Sequence, residues 1–149
     1  MAKVQFKARK ETRHLIIHCA ATKPSMNIGV REIRQWHKER GFLDVGYHFI
    51  IKRDGTIEEG RDVDQIGAHT VGQNDTSVGI CLVGGINDKG APEANFTPIQ
   101  MSVLRGLLEN LKGRYPQASV KGHYDFAAKA CPSFKVPLWL EQNVLVTNK

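Results

Sequence analysis

Six histidines and three cysteines carry the widest chemical reach in this chain of 149 residues. They are His14, His18, His37, His48, His69 and His123, with Cys19, Cys81 and Cys131. No compact metal pattern joins them: the sequence has no HExxH, no paired CxxC and no HxE followed by PCxxC. It also lacks GxxxxGKS/T and GxGxxG, so no motif supports a phosphate-cradling nucleotide fold. What remains is a dispersed set. His18 sits at the end of the first strand-like run, His123 follows the short late one, and Cys131 follows His123 in HYDFAAKACP. Two imidazoles and a thiolate would make a three-ligand zinc site with the fourth position open to water, the catalytic arrangement. On residue type and spacing alone, buried, satisfied histidines and small buried thiols are the commoner outcome.

Such residues need elements to bring them together. HLIIHC, residues 14–19, reads as a buried strand. Neighbouring strand side chains face opposite ways, so either His18 or Cys19 serves a site while the other packs. Residues 20–27 read as a loop. VREIRQWHKER, residues 30–40, places Val30, Ile33 and His37 at helical spacing and stops at Gly41. YHFIIK, residues 47–52, is a strand, and Arg53-Asp54-Gly55-Thr56 turns it into a second short strand at 56–59, a hairpin. GICLVG, residues 79–84, is a third buried strand. Thr97-Pro98-Ile99-Gln100 has the capping-box form, with Phe96 and Met101 as its staple. Leu104, Leu107, Leu108 and Leu111 continue that helix until Gly113 and Pro116. A short strand at 119–122 and a helix at 136–142 complete the set. The interleaving predicts an α/β fold, a single domain with a central mixed β-sheet flanked by helices.

Composition bounds the partners. Hydrophobic residues at 41% and charged residues at 24% exclude a disordered, collagenous or coiled-coil chain. The net charge of +6 suits an anionic partner. Direct nucleic-acid binding is not expected, since no motif supports it and aromatics are only 7%. No apolar run reaches the ~18 residues of a membrane span, and none of ~7–15 follows the basic start MAKVQFKARK, so synthesis and retention in the cytoplasm are expected. Three cysteines without a signal segment argue against a disulfide framework, leaving Cys19 and Cys81 as buried thiols. Lys3, Lys7, Arg9, Lys10 and Arg13, opposed only by Glu11, mark residues 1–13 as a basic N-terminal arm ahead of a catalytic domain at 14–149.

Four segments are more specific together than any one pattern. IIHCAATKPS at 16–25, GVREIRQWHKERGFLDVGYHFIIKRDGTIEEGR at 29–61, GAHTVGQNDTSVGICLVGG at 67–85 and GHYDFAAKACPSF at 122–134 resemble, in order, the zinc amidases of the peptidoglycan-recognition-protein (type-two amidase) fold. The chain is also similar to the phage branch, the small lysozymes of the T-seven group. The resemblance implies N-acetylmuramoyl-L-alanine amidase activity on bacterial peptidoglycan, with one Zn2+ per chain held by His18, His123 and Cys131. It gives Tyr47, in GYHF, and Lys129, in KACP, as further catalytic residues, and His69, in GAH, as a substrate-binding residue of the cleft. By residue type alone, Tyr47 is a packed strand aromatic and Lys129 a solvated loop charge. Chemically, a phenol can hydrogen-bond attacking water or an oxyanion, and an ammonium two residues from a ligand can stabilise developing negative charge. Some related bacterial amidases use Asp as third ligand and Glu as general base. Here the third position is Cys131 and no Glu takes the second role. The resemblance further implies a monomer, inhibition of phage RNA polymerase, and residence in the host cytoplasm until a holin opens the membrane and lysis follows.

Overall fold

The computed structural model describes residues 6–142. Along the chain run β1 (His14–Cys19), α1 (Val30–Glu39), β2 (Phe49–Ile51), β3 (Ile57–Glu59), β4 (Ser77–Leu82), α2 (Pro98–Arg114), β5 (Ser119–Gly122), a 3-10 turn (His123–Asp125) and α3 (Val136–Gln142). The strands form one sheet in the order β3-β2-β4-β1-β5. The pairings β2–β4, β4–β1 and β1–β5 are parallel, and only the hairpin pair β2–β3 is antiparallel. The sheet is therefore mixed and flanked by helices, as the interleaved pattern predicts.

Two elements differ in extent from the sequence expectation. The strand predicted at 47–52 is regular only over Phe49–Ile51. Gly79 N–H donates to His48 Nδ1 at 3.0 Å, so a side chain takes a donor that the ladder would otherwise use. The third strand starts earlier, at Ser77, and stops at Leu82; Gly84 and Gly85, with φ of +126° and +102°, turn the chain away.

Strand alternation sorts the side chains into two layers. Leu15, Ile17, Ile51, Val78, Ile80 and Leu82 form one core with Leu104, Leu108 and Leu111 of α2. On the other face Ile50 and Cys81 pack with Val45, Val83 and Ile33 of α1. Helix α2 starts as expected: Thr97 Oγ1 accepts from Gln100 N–H at 3.2 Å, and Gln100 Oε1 accepts from Thr97 N–H at 2.9 Å. Gln100 is also fully buried, because its Nε2 donates to the carbonyls of Ile51 (3.1 Å) and Val83 (2.9 Å), tying the helix start to the sheet. Glu58 of the hairpin accepts from Val30 N–H at 2.8 Å and so caps α1 from outside the helix.

The described part of the N-terminal segment, residues 6–13, lies along the loop at 61–66. Arg9 donates to the carbonyls of Val63 (2.6 Å) and Gln65 (3.1 Å), Ile66 N–H donates to the Lys7 carbonyl at 2.8 Å, and the Arg61 guanidinium covers the Phe6 ring at 3.7 Å. Lys3 lies outside the described residues.

Candidate metal centre and cleft

Parallel register places the site. Ile17 pairs with Gly122, so His18 on β1 and His123, the residue just past β5, lie side by side with ring centroids 4.4 Å apart. The chain then loops back: Tyr124 N–H donates to the Cys131 carbonyl at 3.0 Å, and Cys19 N–H donates to Cys131 Sγ at 3.1 Å. Ser133 Oγ fixes the far side on the Gly85 carbonyl at 2.8 Å, and the Cys131–Pro132 peptide is cis. One donor atom each from His18, His123 and Cys131 thus lie within 4.8 Å of one another. Cys19 supplies its backbone to this arrangement while its thiol is buried.

The donor chemistry fits a thiophilic, imidazole-binding ion such as Zn2+. Burial lowers the pKa of His18 well below the usual histidine range, with His69 and His123 adding to the shift. Burial, then Lys129, lowers His123. Both imidazoles are therefore neutral at pH 7 with a lone pair to give. The hydrogen bond between the two thiols and burial hold the Cys131 thiol up, against the Cys19 backbone N–H, while the same thiol–thiol bond brings Cys19 down to about 7. A cation at the three donors reverses that ordering, since it favours the thiolate it touches.

Beside these residues, with His123 in its wall, opens a cleft of about 340 Å³. Its wall includes Tyr47, whose ring centroid is 5.0 Å from that of His18. Burial raises the Tyr47 phenol well above its ordinary value, so it stays an O–H donor. Lys129, exposed on the loop between His123 and Cys131, and Arg40 at the end of α1 are the cations of the lining; among the described residues that line it there is no carboxylate. His69 reaches the cleft but is 9% exposed. Its Nδ1 is 2.9 Å from His18 Nε2 and 3.0 Å from Thr70 Oγ1, and its Nε2 is 3.3 Å from Ser77 Oγ. Both ring nitrogens thus face protein. His48 is buried between Gly79 N–H and the Gln65 carbonyl, and His14 lies beside Phe126, away from the cleft.

Sequence reasoning leaves Arg40, Thr70, Asn74 and the functional side of His37 unassigned. His37 sits on the buried face of α1, where helical spacing puts it, and accepts from Gly46 N–H at 2.8 Å in the cleft wall. Asn74 Oδ1 accepts from the N–H groups of both His69 and Thr70 at 2.8 Å, which shapes the loop beneath the site. Neither Thr70 nor Asn74 carries a signal in sequence beyond loop composition.

Comparison with known proteins agrees with this geometry. Residues 8–134 match the family model described as N-acetylmuramoyl-L-alanine amidase. The endolysins of Enterobacteria phage K11 and Escherichia phage T7 are 62% and 60% identical to this chain, over 99% of it and 98% of each relative. Among solved structures, the N-acetylmuramoyl-L-alanine amidase LysC from Clostridium intestinale URNW superposes with a TM-score of 0.78 at 27% identity, covering 96% of both chains. A family match spanning the sheet, the cleft and all three donors, with relatives of this identity, places the chain in the N-acetylmuramoyl-L-alanine amidase family.

Proposed function

We propose that this amidase is zinc-dependent, that His18, His123 and Cys131 hold one Zn2+, and that it cleaves the amide between N-acetylmuramic acid and L-alanine in bacterial peptidoglycan to lyse the host cell. The convergence of those three donors within 4.8 Å at a cleft carries the proposal. Zn2+ bound there supplies Lewis-acid polarisation and an acidified water. The protein's own groups do the rest. The Lys129 ammonium provides positive charge where the amide oxygen becomes negative, and the Tyr47 O–H donates a hydrogen bond to the same region or to the attacking water. Arg40 and Lys129 draw the carboxylates of a peptide stem into the cleft. The substrate contact expected of His69 would run through the carbon edge of its ring, since its nitrogens are engaged.

Two finer points belong to the same reading. No helix among the described residues is long and apolar enough to cross a membrane. We propose that the enzyme is monomeric, waits in the host cytoplasm and reaches the wall after a holin-type lesion. Binding and inhibition of phage RNA polymerase is proposed for the basic N-terminal face, where the pinned segment leaves Lys7 and Lys10 exposed. Charge reversal of both should weaken transcription inhibition; unchanged inhibition removes the segment from the interface, and none by the parent protein removes the role.

The deciding experiment pairs metal analysis with mass spectrometry of digested wall. One zinc per chain and new L-alanine amino termini are expected, with both lost in Cys131→Ser. Metal-loaded protein that leaves the wall without new L-alanine termini overturns the proposal.

A further inference from the structure

We infer that His69 and Ser77 are positioning residues that fix the orientation and tautomer of His18, so that His18 offers its Nδ1 lone pair to the metal. This rests on the reading of His18 as a zinc ligand. The hydrogen-bond directions follow from one fixed end. The Gln73 carbonyl can only accept, and Ser77 Oγ lies 2.6 Å from it, so the Ser77 hydroxyl proton is committed there. Ser77 Oγ can then only accept from His69 Nε2 at 3.3 Å, which makes that nitrogen an N–H. A neutral His69 has its lone pair on Nδ1. That lone pair faces His18 Nε2 at 2.9 Å, so His18 must carry its proton on Nε2. Thr70 Oγ1, 3.0 Å from His69 Nδ1 and 3.3 Å from His18 Nε2, sits at the same junction and fits this polarity. By elimination Nδ1 is the ring nitrogen of His18 left for a metal.

The relay is held rigidly. Asn74 grips the backbone of His69 and Thr70, and the His69 ring lies flat on Gly79 of β4, where a Cβ would stand 2.6 Å from two ring atoms. Ser77 and His18 belong to adjacent paired strands, so sheet register sets the length of the chain of bonds. An imidazole ligand whose other nitrogen is anchored this way loses about 10–100-fold in metal affinity when the anchor goes.

The test reads tautomers as well as affinity. In histidine-15N-labelled, zinc-free protein at pH 7, long-range 15N–1H correlation should show His18 and His69 protonated on Nε2 and bare on Nδ1. Zinc should then shift the His18 Nδ1 resonance. Chelator competition should give a zinc Kd weakened about 10–100-fold in His69→Leu. His69→Asn, whose Oδ1 replaces Nδ1 as an acceptor, should recover most of that loss. Ser77→Ala should let an Nδ1–H form of His69 appear, with a matching loss of zinc affinity. Melting curves identify variants that merely fail to fold. A His18 proton on Nδ1 in the zinc-free protein, or equal zinc affinity in His69→Leu and the parent, or equal losses in the Leu and Asn variants, overturns the inference. If the parent binds no zinc, the metal reading falls, and the tautomer spectrum still decides the direction of the relay.

Discussion

Gly79→Ala is the sharpest test of how this site is packed. Gly79 has no left-handed backbone, so alanine brings no conformational strain there; the issue is space alone. Its Cβ would stand 2.6 Å from Cδ2 and Cγ of His69 and 2.8 Å from Nδ1. Ordinary carbon contacts are ~3.5–4.0 Å, so the overlap is about 1 Å against the face of the ring. The ring cannot swing aside cheaply, because Ser77 holds one nitrogen, His18 and Thr70 the other, and Asn74 the backbone. Overpacking of this kind costs about 1–3 kcal/mol. Loss of glycine entropy in the unfolded chain returns ~0.4–1 kcal/mol. A net loss of about 1–2 kcal/mol lowers Tm by roughly 2–8 °C in a chain of this length. Gly106→Ala is the matched control. Gly106 lies exposed within α2 with nothing near a new Cβ, so the same substitution gains about 1 kcal/mol and raises Tm by ~2–4 °C. Calorimetry of the three zinc-free proteins measures both signs. A Gly79→Ala protein melting at or above the parent would refute the reasoning.

Acid should weaken the zinc-free fold. Burial first, then Arg40 and Arg61, brings His37 down to about 4, and burial brings His48 to about 4 as well. The folded pKa lies below the unfolded value of ~6.5, so the unfolded chain binds more protons, and stability present above ~6.5 is lost as pH falls toward 4, by roughly 1–2 kcal/mol per group at pH 5. Urea midpoints at pH 7 and pH 5 should differ accordingly. Thr97→Ala removes the acceptor of Gln100 N–H and a donor to the Arg53 carbonyl at 2.7 Å, and should cost about 1 kcal/mol in urea unfolding, with Thr97→Ser nearly neutral. Lys129→Ala should lower kcat on peptidoglycan roughly 100-fold while zinc content, measured by mass spectrometry, stays at the parent level. Equal activity would remove Lys129 from the chemistry.

Much of the frame was legible because local signals and packing agree. The Thr97 capping box, the Asp54-Gly55 hairpin and the apolar runs at 14–19 and 79–84 all state their conformation within a few residues, although the last forms its strand two residues earlier, at 77–82. Strand alternation posed a choice between His18 and Cys19 but could not say which side chain turns toward His123; the ring of His18 lies 4.4 Å from it across the β1–β5 pairing. His69 shows the limit. Its sequence neighbours describe a turn, whereas its environment is made by Gly79 and Ser77 of β4 and by His18 of β1. Likewise, nothing near Gln100 beyond its place in a capping box announces a buried side chain clamping two carbonyls. Contacts between distant strands leave no periodicity to read.

The position of β5 has a consequence for how the site opens. This strand is four residues long, stands at the edge of the sheet and pairs within it with β1 alone. The segment from His123 to Cys131 continues from that edge and is tied back at its far end by Cys19 N–H on Cys131 Sγ and by Ser133 on the Gly85 carbonyl. Peeling β5 from β1 carries two of the three donors away together, so the centre comes apart by fraying of one margin rather than by loss of the core. An ion spanning both sides would act as a clasp, slowing amide hydrogen exchange over Ser119–Gly122 far more than in β4 at the middle of the sheet.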